Sequence, residues 1–182
     1  MTAEPLEHAL DRRRFPGEPG PFPDPRPLVL RTAQESDLPE LRRLDEAVFQ
    51  EVAYPAFLFR QLYDMYAEHL LVLDDGGGRL RGYVLAATTA LNRESWILGL
   101  CVAEERRRHG LGREPMVEVL ARLRGSGIEQ VRLTMEPANR AAILLYRSLG
   151  FRLEHPDAGL RRDCFGPGQD RLVMHLGLTG LH

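Results

Sequence analysis

The stretch Trp96–Leu123, WILGLCVAEERRRHGLGREPMVEVLARL, changes character twice. Trp96–Val102 is an apolar run of strand length, and Met116–Leu123 repeats its apolar residues at helical spacing. Between them come Arg106, Arg107 and Arg108, then His109, then the Gly-x-Gly of Gly110, Leu111 and Gly112. A helix entered from such a turn points its unpaired first-turn N–H groups, and the positive end of its dipole, back at the turn. Glycine lets a bulky anion approach the backbone, and arginine adds charge-assisted hydrogen bonds. The turn therefore reads either as a cradle for a phosphate-bearing ligand or as a solvated loop. Its place between a buried strand and a helix favours the cradle.

Working outward, the sequence predicts β-α-α-β-β-β-α-β-α-β-β. Leu28–Thr32 reads as a first strand. Ser36 or Asp37 then caps a helix, with Glu40 completing a capping box after Asp37 and Leu38, Leu41, Leu44 and Val48 on one face. A second helical segment covers about Pro55–Ala67. Leu70–Leu73 and Leu80–Thr89 flank the Asp75–Gly78 turn as a hairpin. After the helix Gly112–Arg124 come the strand Val131–Met135 and a helix capped by Asn139 and closed by Gly150. Phe151–Glu154 and Asp170–Leu176 form the last strands, joined by a polar loop over 157–169. The order implies a single mixed α/β domain over 28–178, preceded by a flexible Pro/Arg-rich extension over 1–27 that includes Arg12–Arg14, or an arm docked through Phe15 and Phe22, and followed by a short tail over 179–182.

Composition narrows the function classes. The formal net charge of −2 exerts no global pull toward nucleic acid or anionic membrane, so an anion site must be local. No apolar run approaches the roughly 20 residues that span a bilayer, and no signal-peptide core is visible, which predicts a cytoplasmic protein. Cys101 and Cys164 lack metal-ligand spacing, so no metal site is expected. All 24 basic residues are arginine. That excludes a Schiff-base lysine and the lysine of a Walker-type phosphate loop, and argues against a P-loop kinase, the third function class.

Two blocks in the chain resemble the GNAT superfamily of N-acetyltransferases. Its acetyl-CoA signature, Arg/Gln-x-x-Gly-x-Gly/Ala, matches at Arg107, Gly110 and Gly112. A second signature, Asn-x-x-Ala-x-x-Leu-Tyr-x-x-x-Gly-Phe, matches at Asn139, Ala142, Leu145, Tyr146, Gly150 and Phe151. Two linked motifs, one helix and one strand apart, are far more specific than either alone. The resemblance, nearest to the ribosomal-protein alanine acetyltransferases, covers about 28–178. It implies the acyl-CoA N-acyltransferase fold: one mixed, largely antiparallel sheet with flanking helices.

The resemblance also implies roles. Backbone N–H groups of Arg108, His109, Gly110, Leu111 and Gly112 would bind the CoA diphosphate, with Arg107 and Arg108 beside it; Arg106 faces water. Leu100, Cys101 and Val102 would pair with the pantetheine arm like an added strand, which requires the sheet to splay there and for which Gly99 permits a bulge. Asn139 would touch the middle of that arm. Tyr146 would bind at the thioester end and protonate the departing thiolate; packing alone would also explain an aromatic on that helix face. The N-terminal-peptide acetyltransferases often carry a glutamate five residues before the asparagine. Here that residue is Thr134, which cannot act as a base. Glu136, on the same strand face, or Glu94 would then serve, and each also reads as a surface carboxylate.

Cys101 reads as a small buried hydrophobe rather than an acyl-accepting nucleophile, and Trp96 as core. Arg162, Cys164 and Phe165 stand where peptide acetyltransferases carry an Arg-x-Tyr-Tyr element. Tyr54, Phe57, Phe59 and Tyr63 are candidates to line the acceptor side. The expected reaction is direct acetyl transfer from acetyl-CoA to a primary amine of a small molecule or peptide N-terminus, without metal, nucleic acid or membrane partners. Self-association as a homodimer is left open. The alternative is a non-catalytic acyl-CoA-binding module, favoured by Thr134 and opposed by Tyr146.

Overall fold

The computed structural model describes residues 13–14, 27–89, 93–107, 110–154 and 159–179. One sheet runs through them in the order β1-β2-β3-β4-β5-β6-β9-β7, with β8 also on β9. Its strands are β1 (Arg13–Arg14), β2 (Val29–Thr32), β3 (Leu70–Asp74), β4 (Leu80–Thr89), β5 (Glu94–Val102), β6 (Gln130–Met135), β7 (Arg152–Leu153), β8 (Leu160–Arg161) and β9 (Arg171–Gly177). Every pairing is antiparallel except β5 with β6. The mixed, largely antiparallel α/β architecture expected from the sequence is the one observed.

Strand β4 is buried along most of its length because helices cover both faces of the sheet. On one face, α3 (Arg113–Gly125) and α4 (Arg140–Ser148) pack Met116, Val119, Leu123 and Tyr146 against Val84, Ala86, Val131 and Leu133. On the other, α1 (Leu38–Phe49) and α2 (Ala56–Tyr66) pack Leu41, Leu44, Phe59 and Leu62 against Leu70, Val72, Tyr83 and Cys101. Strand β6 alternates half-buried and buried positions, so Val131, Leu133 and Met135 share the α3/α4 face while Arg132 and Thr134 take the other.

Two local expectations are corrected. Asp37 does not cap α1: its carboxylate reaches back to Gln34 N (2.7 Å) and grips Arg31, which also binds Asp74. Glu40 pairs with Arg43 instead. The loop expected over 157–169 contains β8, whose Leu160 and Arg161 pair with Leu172 and Arg171. Apart from these corrections, Arg13 and Arg14 pair with Leu30 and Val29 along the edge of β2, and the rest of the extension, 1–12 and 15–26, lies outside the described residues.

Candidate active site

The site begins where β5 leaves β6. Residues Glu94–Ile97 pair in register with Gln130–Leu133, and the ladder stops there. On its other side β5 stays on β4 down to Val102, but with a shift: Leu85 faces Gly99 while Ala86 faces Ile97. Leu98 is the extra residue of a bulge, which bends its strand and ends local pairing. The edge of β5 from Leu98 to Val102 thus faces the gap toward β6 without a ladder between them. Gly99 is required by its surroundings: a Cβ there would lie 2.9 Å from Tyr83 Oη and 3.0 Å from its Cε2.

Strand β5 runs into Ala103 and one 3-10 turn, Glu104–Arg106. Arg107 is exposed and folds back, its Nε donating to Val102 O at 3.2 Å. Arg106, expected to face water, is half-buried. Arg108 and His109 lie outside the described residues. The two glycines of the turn serve different needs. Gly110 adopts φ +71, the left-handed region, with open space around it. Gly112 is right-handed, and a Cβ there would press to 3.3 Å from Leu145 Cδ2. Gly112 caps α3 with no side chain of its own to accept from the first turn, where Arg113 N donates to Gly110 O at 2.9 Å.

Two features of this end escaped the sequence reading. Arg113 Nη1 donates to Ser148 Oγ at 2.9 Å, tying the start of α3 to the end of α4. Glu114 Oε2 is buried without a hydrogen-bond partner among the described residues, and burial raises its pKa.

Helix α4 holds the second motif. Asn139 caps it as expected, accepting from Ala142 N at 3.1 Å, and is itself exposed. Gly150 takes φ +92 beyond the last turn. Tyr146 is buried, edge-on to Phe151 at 5.7 Å, and burial pushes its pKa up to about 12. It is therefore a core aromatic in packing and a protonated phenol across the physiological range.

On the opposite face Thr134 stands half-buried, paired with Val173. Glu136 is exposed, with Arg171 Nη2 at 3.7 Å; Arg171 is buried under the ring of Phe165 at 4.6 Å. Glu94 is engaged elsewhere: Oε1 accepts from Trp96 Nε1 at 2.9 Å and Oε2 meets Arg132 Nε at 3.0 Å. Trp96 is not simple core, being half-buried with the Arg132 and Arg161 guanidinium groups each 5.8 Å from its ring. Arg162 is exposed and Cys164 half-buried.

Cys101 is buried, and its thiol is pushed up to about 12, first by desolvation and then by Asp45. It is a poor nucleophile, as expected of a small buried hydrophobe. Of the four aromatic candidates, Phe59 is core, Phe57 is exposed, Tyr63 is half-buried and Tyr54 donates to Leu98 O at 2.9 Å. Among the described residues no group of His, Cys, Asp and Glu is placed to hold a metal ion, and no helix is long and apolar enough to cross a membrane.

The family model of the Acetyltransferase (GNAT) family matches residues 38–151. The [ribosomal protein bS18]-alanine N-acetyltransferase of Salmonella typhimurium is 26% identical over 147 residues, covering 79% of this chain and 93% of that protein. Mycothiol acetyltransferase of Thermobispora bispora is 44% identical over 69 residues, 38% of this chain, and the chain spans only 23% of that protein's length. The same fold is found in the ribosomal-protein-S18-alanine N-acetyltransferase of Escherichia coli, with TM-score 0.70 at 21% identity over 85% of this chain and 99% of that one.

Proposed function

This chain belongs to the GNAT acetyltransferase family, and on that footing we propose that it transfers the acetyl group of acetyl-CoA directly to a primary amine, on a small molecule or at a peptide N-terminus. The observation that carries this reading is the parting of β5 from β6 at Leu98, directly ahead of a turn that enters α3. The freed edge fits an amide-bearing arm, which can add to it as a strand would. The open left-handed Gly110 and the α3 N-terminus fit a diphosphate.

Leu100, Cys101 and Val102 would hold the pantetheine arm through their backbone, and Asn139 would meet it near its middle. Leu111, Gly110 and Gly112 would present N–H groups to the diphosphate, with Arg107, Arg108 and His109 around it. Acetyl-CoA supplies the activated acyl group. The amine attacks the thioester carbon, the N–C bond forms and the C–S bond breaks. Positioning and oriented backbone N–H groups lower the barrier. Tyr146 donates its proton to the departing sulfur. Glu136, acting through water, takes the proton that the amine loses; for an α-amine of pKa about 8 that removal costs little. Direct transfer is preferred to an acyl-enzyme because the Cys101 thiol is held protonated in the core.

Support for both acceptor classes comes from the relatives, one named for a ribosomal-protein alanine and one for mycothiol. The reading is tested by thermal unfolding with millimolar acetyl-CoA, followed by a screen of amines and N-terminal peptides for CoA release. A raised Tm with turnover on at least one amine is expected. An unchanged Tm refutes the reading; a raised Tm with silence across a broad panel favours the non-catalytic acyl-CoA-binding module.

A further inference from the structure

The bulge that opens the sheet is held from the α1/α2 side by a buried polar chain that none of these roles uses. Asp45, on α1, is fully buried, yet both carboxylate oxygens are occupied. Oδ1 accepts from Tyr83 Oη at 2.5 Å and Oδ2 from Tyr54 N at 2.7 Å. Tyr54 Oη donates in turn to Leu98 O at 2.9 Å, and Leu98 is the extra residue of the bulge. Gly99 lies against the Tyr83 ring so closely that no Cβ would fit. Phe59 braces the two tyrosines edge-on, 5.6 Å from Tyr54 and 5.8 Å from Tyr83.

Apolar side chains would hold α1 on the sheet without the desolvation cost of a carboxylate. What the carboxylate adds is direction. It sets the Tyr54 backbone and the Tyr83 hydroxyl at one mutual spacing, and through them it fixes the carbonyl of Leu98 from one side and Gly99 from the other. A main chain that must present N–H groups to a reacting thioester tolerates little displacement, since an ångström of misplacement can cost about a hundredfold in rate.

We propose that Asp45 and Tyr54 are positioning residues for the acetyl end of the cofactor site, acting through the Leu98–Gly99 bulge and touching neither substrate. The inference rests on the acetyl-CoA reading above. Its consequence is a split along the cofactor: among the described residues the hydrogen bonds and ring contacts of this network reach Leu98 and Gly99 and stop short of the turn at Gly110–Gly112.

The test is Tyr54→Phe, which keeps the ring and removes the bond to Leu98. Binding of acetyl-CoA is measured by isothermal titration. Binding of the nucleotide half alone, adenosine 3′-phosphate 5′-diphosphate, is measured by its competition against acetyl-CoA. The variant is expected to keep its fold, to bind acetyl-CoA about tenfold more weakly, the loss of one hydrogen bond, and to bind the nucleotide half within about twofold of wild type. Unchanged acetyl-CoA affinity overturns the proposal, and so does an equal loss for both ligands, which would mean a general structural effect. Asp45→Leu removes both acceptors and leaves Tyr54 N–H and Tyr83 O–H without their partner. It is expected to lower Tm and show the same selective loss; a folded Asp45→Leu that binds acetyl-CoA like wild type overturns the proposal equally. Wild-type protein that binds neither ligand overturns the acetyl-CoA reading itself, a distinct result.

Discussion

Replacing Gly99 by alanine is the sharpest test of how the sheet is opened. The added methyl would fall 2.9 Å from Tyr83 Oη and 3.0 Å from Tyr83 Cε2. Tyr83 cannot yield easily, because it is fully buried and its hydroxyl is engaged by Asp45. Overpacking of this kind costs about 1–3 kcal/mol. In a domain of this size each kcal/mol lowers Tm by roughly 2–4 °C, so a fall of roughly 2–12 °C is expected. Gly125→Ala is the matched control. That glycine ends α3 with nothing within 4 Å of a Cβ, and alanine there should be neutral or stabilising by up to about 1 kcal/mol. Both variants are followed by circular dichroism during heating and by urea titration at 25 °C. A Gly99→Ala protein that melts within a degree of wild type, with Gly125→Ala behaving as expected, would falsify the claim that Tyr83 closes this position.

The remaining expectations concern Tyr146, alkaline stability and the α4 cap. Tyr146→Phe retains the ring against Phe151, so Tm and acetyl-CoA affinity should hold while kcat drops about a hundredfold, the scale of general-acid catalysis; an unchanged kcat removes Tyr146 from the mechanism. The folded pKa values of Cys101 and Tyr146, each about 12, exceed their ordinary values of 9.0 and 10.0. Their contribution is therefore fully present below the ordinary values and is lost as pH rises toward 12. Stability should fall by a few kcal/mol between about pH 9 and 12, read from urea midpoints, with part of the fall missing in Cys101→Val; identical pH profiles for the two proteins would contradict this. Asn139→Ala removes the acceptor for Ala142 N and should cost about 1 kcal/mol, or roughly 2–4 °C in Tm, measured by differential scanning calorimetry. No loss would show that the cap is dispensable.

Much of the fold could be read from local pattern. The β5–turn–α3 unit, the Asn139 cap, the Gly150 turn and the alternation in β6 each depend on neighbours a few residues away. Their spacing in the chain is therefore their spacing in space. The same holds for Arg107, Gly110, Gly112 and Tyr146, whose order along the chain carries the family motifs.

Asp45 shows where that legibility ends. It stands at the core-facing position beside Leu41 and Leu44, and a charge on an apolar stripe was a visible signal. Its partners, Tyr83 and the backbone of Tyr54, are brought to it only when α1 docks on β4. Asp37 fails for a related reason: as a cap it needed only its own helix, but Arg31, anchored also by Asp74 on β3, competes for its carboxylate and wins. Trp96 and Glu94 gain their cationic partners from β6 and β8.

The sequence by itself determined the order of all elements but β1 and β8, and the glycine turn between β5 and α3 with the residues around it, because those follow from short-range backbone geometry. Only the tertiary structure decided that β5 leaves β6 at Leu98, that Gly99 is excluded from bearing a side chain by Tyr83, and that a buried carboxylate holds the opening in place. Each of these depends on surfaces far apart in the chain meeting at van der Waals distance, and no local spacing encodes that.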